Sequence, residues 1–384
     1  MKVITTTDGL QAFCDQIRSA PFVAIDTEFM RERTYWPILC LIQAAADGAE
    51  AVIDPLAEAI NLAPLFEVLA DEGIVKVFHA ARQDVEIFVN LTGRPPTPIF
   101  DSQIAAMACG FGDQIGYEPL MRSLVGAKID KGSRFTDWAR RPLSENQLAY
   151  ALSDVTYLRA AYPILQRKLS RDGREAWVAE EMAMLADVKL YQTEPADAWR
   201  RLKLRGIRSS ELGPLIKLAE WREREAQARD LPRGRVAKDE ALLELARMRP
   251  GNADELGRAR SIPKGAERSK FGEGMLAAIK EGLQIAKEDL PVIEKNMHRE
   301  PPPPDVVDML KVVLKRQCER HEVAPRLIAS STDLESLALD PDADIPAMKG
   351  WRREVFGAAA TRLMNGQIAL RLANGKLDLV ELDQ

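Results

Sequence analysis

Along residues 1–195 the apolar positions change period repeatedly. Helical spacing over Asp8–Ser19 gives way to Phe22-Val23-Ala24-Ile25, a short apolar run that fits a buried strand. Ile38-Leu39-Cys40-Leu41-Ile42-Gln43 and Ala51-Val52-Ile53 flank Asp47-Gly48 and predict a hairpin. A helix is expected over Leu62–Asp71, a strand over Ile74-Val75-Lys76-Val77-Phe78 and a helix over Ala81–Leu91. The short strand Pro98-Ile99-Phe100-Asp101 then leads into another helix. An antiparallel start followed by β-α alternation predicts an α/β domain, a mixed sheet with helices on its faces.

The rest of the chain reads as helical. A boundary is expected near Thr193-Glu194-Pro195, and the run Pro301-Pro302-Pro303-Pro304 reads as an extended linker. The expected domains are therefore 1–195, 196–290 and 300–384. The last two look like a degenerate repeat. Residues 229–246 align without gaps against 321–338, pairing Leu231 with Val323, Val236 with Ile328, Ala237 with Ala329, Leu242 with Leu334, Leu245 with Leu337 and Ala246 with Ala338. Ile262-Pro263 is echoed by Ile345-Pro346. Matches at apolar positions are what two copies of one small all-α fold would keep.

Composition narrows the class. The 384 residues are 46% hydrophobic and 29% charged, ordinary values for a globular protein. No run of about 18 apolar residues marks a membrane span, and the N-terminus has no signal or transit pattern, so a cytoplasmic protein is expected. Cys14, Cys40, Cys109 and Cys318 form no CxxC pair, and the three histidines are too few for a His-based metal site. The net charge of −5 does not advertise nucleic-acid binding. Two local basic runs exist, Arg200, Arg201, Lys203, Arg205 and Arg208, then Arg229, Arg233, Arg235 and Lys238. A solvated helix face and loop explain them more readily than nucleic-acid contact does.

The candidate chemistry is carboxylate. In Ala24-Ile25-Asp26-Thr27-Glu28-Phe29 two acids alternate at the end of an apolar strand, so Asp26 and Glu28 point to one side. Like charges so close need compensation, and a hard divalent cation supplies it. Asp84 sits at the edge of the apolar stripe formed by Val85, Phe88 and Val89. A solvent-facing acid in a helix's first turn is its plain alternative. Ser144-Glu145-Asn146-Gln147 is a capping-box signal for a helix over Gln147–Lys168. Tyr150 and Asp154, at i and i+4, share a face of that helix.

DxE on a first strand, a later Asp, then YxxxD on a late helix resembles the DEDDy exonucleases, which have a ribonuclease H-like fold. Phe22–Phe29 with Arg31, Tyr35, Pro37 and Leu39–Gln43 is similar to the first exonuclease motif of the ribonuclease D family. His79–Asp84 is similar to the second and Gln147–Val155 to the third. Ile99–Ala106 and Asp137–Ser144 resemble that family too, and the two helical blocks resemble HRDC domains. The resemblance implies a 3′–5′ exoribonuclease releasing nucleoside 5′-monophosphates from RNA, with precursor tRNA as the leading substrate and a monomer as the default. It implies two divalent metal ions, Mg²⁺ or Mn²⁺, held by Asp26, Glu28, Asp84 and Asp154, with Tyr150 orienting the attacking water. Lys131, Arg134 and Trp138 are candidate substrate contacts, though Trp138 reads equally as a core anchor. His79 reads as a structural hydrogen-bonding group. A DNA exonuclease and a non-catalytic RNA-binding adaptor are the rival readings.

Overall fold

The computed structural model describes residues 3–129, 132, 136–292 and 301–382. Lys131 and Arg134 therefore lie outside the described residues. The described residues up to Leu185 build a six-stranded mixed sheet flanked by helices. The elements run β1 (Val3–Ile4), α1 (Thr7–Ile17), β2 (Phe22–Met30), β3 (Ile38–Ala46), β4 (Ala49–Ile53), α2 (Ala63–Ala70), β5 (Val75–Phe78), α3 (Arg82–Thr92), β6 (Ile99–Asp101), α4 (Ser102–Ala108), α5 (Tyr117–Val125), α6 (Glu145–Arg171) and α7 (Glu175–Leu185).

The sheet order is β1-β4-β3-β2-β5-β6. β2, β3 and β4 form an antiparallel meander, with the Asp47-Gly48 turn joining β3 to β4. β5 and β6 add in parallel beside β2. β2 is longer than its apolar run implied. It continues through Asp26 and Glu28 to Met30, because β3 pairs with it along its whole outer half, with a register shift at Glu28/Phe29. β5 pairs only with Phe22–Ala24. The two acids thus lie past the carboxyl end of the parallel pair, where open α/β sheets form their crevices.

The sheet alternation sorts two cores. Val23 and Ile25 face α1, α2 and α3 in one. Ala24, Ala45 and Val77 face α4, α5 and α6 in the other. α6 starts with the expected capping box, Ser144 accepting from the Gln147 backbone.

The first helical block comprises α8 (Ser209–Ala228), α9 (Arg233–Val236), α10 (Asp239–Met248), α11 (Ala253–Leu256) and α12 (Lys270–Leu283) around its own core. The second comprises α13 (Pro304–His321), α14 (Ser331–Leu339), α15 (Gly350–Arg352) and α16 (Ala358–Met364), the last two joined by a π turn over Arg353–Gly357. Val236, Ala237, Leu242, Leu245 and Ala246 are buried in the first, and Val323, Ile328, Ala329, Leu334 and Leu337 in the second.

The all-α expectation for 300–384 needs correction. A hairpin, β7 (Ile368–Ala373) with β8 (Lys376–Glu381), closes the described chain. Its Asn374-Gly375 turn has positive φ at both residues, 53° and 72°, the geometry of the tight hairpin turn such a pair favours. Among the described residues no helix is long and apolar enough to cross a membrane. All four cysteines are buried and unbridged.

The blocks attach differently. The second shares a continuous apolar core with the α4–α7 side of the sheet domain. Arg174 donates to the carbonyls of Ala108 and Glu322 at 2.6 and 2.9 Å, and Trp177 stacks on Trp351 at 4.1 Å. The first block meets the loop after β2. Tyr35 packs with Ala226 and Val236, and its hydroxyl bonds Glu223, which also pairs with Arg233. Burial works to raise the Glu223 carboxyl, but the Arg233 and Tyr35 hydrogen bonds outweigh it, and its pKa lies below the usual value. Arg233 is thus committed to this seam, and Arg229 to Glu225 at 2.6 Å. The second basic run is in part structural.

Candidate active site

Asp26, Glu28 and Asp154 converge. Each offers a carboxylate oxygen, and these oxygens all lie within 4.8 Å of one another. β2 delivers the first two on its α6-facing side, and α6 delivers the third from above. The Tyr117 hydroxyl donates to the backbone carbonyls of Ser153 and Asp154, bracing this turn of α6. The acids line an open cleft of about 660 Å³ together with His79, Tyr117 and Tyr150.

Asp84 is set back from that group. It is 7% exposed, so the solvent-facing alternative does not hold, and its Oδ1 accepts from the Thr27 hydroxyl. Thr27 lies between the two strand acids and points to the opposite face, where α3 packs. The start of α3 is fixed by Asp101, whose carboxylate accepts from the Ala80, Ala81 and Gln103 amides at 3.0, 2.8 and 2.8 Å. Arg31 ties the end of β2 to α3 by a bidentate pair with Glu86 at 2.8 and 2.6 Å.

The electrostatics are those of an anion cluster. Burial pushes the Asp26 carboxyl well above its ordinary range, and repulsion from Asp84, Asp154 and Glu28 adds to it. Burial also raises Asp84, to about 7, against the Thr27 hydrogen bond. Buried acids that repel one another hold their charge when a cation joins them, and an all-oxygen set suits a hard divalent ion. The residues present therefore fit the expected metal.

Trp138 is 3% exposed and packs with Cys40, Leu41, Val52 and Ala151, its ring stacked toward Tyr150 at 6.3 Å. It forms the wall behind Tyr150 rather than an open stacking platform. Arg141 pins this wall, donating to the carbonyls of Trp138 and Cys40 and to both Asp54 oxygens, all at 2.7 Å. His79 Nδ1 lies 2.9 Å from Ser102 Oγ, and burial lowers its pKa to about 4, so it is neutral at pH 7. Thr27, Tyr117, Asp101 and Arg141 are supporting residues that sequence reasoning gave no role. Only position offered a signal, Thr27 between two acids and Arg141 beside a motif tryptophan.

A mixed sheet carrying a strand DxE, a set-back helical Asp and a helical YxxxD over an open cleft is the arrangement of a 3′–5′ exonuclease of ribonuclease H-like fold. The comparisons agree. The 3′–5′ exonuclease family profile matches residues 1–170 and the HRDC domain profile residues 212–279. Ribonuclease D of Granulibacter bethesdensis is 48% identical over 98% of this chain and 96% of its own. That of Jannaschia sp. is 46% identical over 99% of each. The crystal structure of Escherichia coli RNase D, described as an exoribonuclease involved in structured RNA processing, superposes with a TM-score of 0.82 at 32% identity, covering 95% of this chain and 98% of that one. The chain belongs to the ribonuclease D family of hydrolytic 3′–5′ exoribonucleases.

Proposed function

We propose that this chain removes nucleotides one at a time from RNA 3′ ends by two-metal-ion hydrolysis, releasing nucleoside 5′-monophosphates. The observation that carries the reading is the convergence of Asp26, Glu28 and Asp154, from two distant segments, on one face of an open cleft. Asp26, Glu28 and Asp154 would hold Mg²⁺ or Mn²⁺, with Asp84 the fourth, set-back carboxylate. When bound, the two ions supply a deprotonated attacking water and neutralise charge on the leaving 3′ oxygen.

The chain's own residues do the rest. Tyr150, one helical turn before Asp154, orients the attacking water through its hydroxyl. The Trp138 wall stacked behind it fixes its ring. Thr27 and the Asp101-capped turn hold Asp84 in place. Neutral His79 supports the cleft wall through Ser102. Lys131 and Arg134 remain candidates for phosphate contact on their charge alone. Precursor tRNA and other structured RNAs are the proposed substrates, in line with the structured-RNA role given for the Escherichia coli enzyme. The helical blocks would hold the RNA body while its single-stranded end enters the cleft, and the active form is proposed to be a monomer.

The test is a time course on a 5′-labelled precursor-like RNA and its DNA counterpart, with Mg²⁺, Mn²⁺ or chelator. A one-nucleotide ladder on RNA alone, lost with chelator and in Asp26→Asn, is expected. Tyr150→Phe should slow turnover about 10²–10⁴-fold, the worth of one positioned proton-transfer group. An equal ladder on DNA would replace the RNA reading with a general exonuclease. A folded Asp26→Asn variant at wild-type speed would remove the site assignment.

A further inference from the structure

Gln43 has no role in the chemistry above, although it belongs to the first exonuclease motif. It is the direct cross-strand partner of Asp26, and Val52 of β4 continues the row on its other side. Residues opposite one another on paired strands share a face at about 5 Å between Cβ atoms, so the Gln43 amide stands beside the Asp26 carboxylate under α6. Gln43 is fully buried, and neither its amide nitrogen nor its oxygen has a hydrogen-bond partner. Trp138 Nε1, in the cell made by Leu41, Val52 and Ala151 on the same side, is a second buried polar atom without a partner.

A buried polar group with no partner costs about 1–3 kcal/mol, and folded proteins keep few of them. An apolar side chain at position 43 would fill the same space at no such cost, as Leu41 does two residues earlier. The orphans are complementary: an indole N–H, an amide oxygen, an amide N–H₂ and, next in the row, a carboxylate with lone pairs on both oxygens.

We propose that Gln43 is the positioning residue of Asp26. When the site holds its divalent ions, the Gln43 amide donates to the Asp26 oxygen turned toward β3 and fixes the carboxylate's orientation, while its own oxygen accepts from Trp138. This inference rests on the metal-site reading. Partners that orient a ligand in this way typically change metal affinity 10–100-fold.

The test is calorimetric Mn²⁺ binding to the full chain, with thermal melts in chelator, for wild type, Gln43→Met, Gln43→Leu, Trp138→Phe and Asp26→Asn. Gln43→Met is expected to melt in chelator at or above the wild-type temperature and to bind Mn²⁺ about 10–100-fold more weakly. Gln43→Leu also lacks the donor and should weaken binding as much, so it carries the test should the Met variant fold poorly. Trp138→Phe, which removes the indole N–H together with the five-membered ring that carries it, should weaken binding by less than Gln43→Met. Unchanged Mn²⁺ affinity in Gln43→Met and Gln43→Leu would overturn the proposal, as would a lowered melting temperature in chelator with intact affinity. Equal Mn²⁺ binding by wild type and Asp26→Asn would instead overturn the metal-site reading beneath it.

Discussion

The two ends of α6 meet opposite demands. Its first turns present Tyr150 and Asp154 to a cleft where acids crowd together and Asp26 and Asp84 are pushed toward protonation. Its later turns bury Ala161, Tyr162, Leu165 and Leu169 in an apolar core shared with the second helical block. At that seam the charges are matched. Arg352, 6% exposed, donates to Glu180, Glu181 and the Leu327 carbonyl. One end holds acids that repel one another, and the other holds packed apolar surface and paired charge. Acids crowded in this way carry their charge at a cost when no cation joins them, whereas the seam stabilises the chain by burying apolar surface.

Phe356→Ala tests the seam most severely. The ring is fully buried in the shared core, so its loss should destabilise the whole chain by about 3–5 kcal/mol in a denaturant titration, with Mn²⁺ affinity unchanged. A parallel fall in affinity would show that the two ends are not separable.

Asp84→Asn tests the other end, and its sign is opposite. The Asp84 carboxyl rises to about 7 in the folded chain, from about 4 unfolded. The native state therefore binds more protons across that window, and without metal stability is present at low pH and falls as pH rises from about 4 to about 7. In chelator at pH 8, Asp84→Asn should be more stable than wild type by roughly 2–4 kcal/mol, with the gap narrowing as pH falls below 7 and closing near pH 4. Equal melting at pH 8 would mean that the acids are not in tension.

Tyr35→Phe extends the comparison to the first block, where the seam is small and polar. Loss of the hydroxyl leaves Glu223 with Arg233 alone and should cost about 1–2 kcal/mol. A larger loss would show that the first block shares the cooperative core of the second.

Much of the site was legible because its chemistry sits on regular elements. Period two put Asp26 and Glu28 on one face, and the capping box at Ser144 set the phase that brings Tyr150 and Asp154 together. The length of β2 was not legible, since its acids interrupt the apolar run that marks a strand. The burial of Asp84 depends on Thr27, whose direction is known only once β2 extends that far. An apolar stripe does not name its partner, so the fusion of the second block with the sheet domain could not be read from its helices. The final hairpin was legible at Asn374-Gly375 and was overridden by the helical pattern before it.

The most direct test of the account is an anomalous-scattering map from crystals of the full chain with Mn²⁺ and a short RNA. The account predicts two peaks about 3.5–4 Å apart among Asp26, Glu28, Asp84 and Asp154. A map with no peak at Asp26 in a crystal that has bound RNA would contradict it.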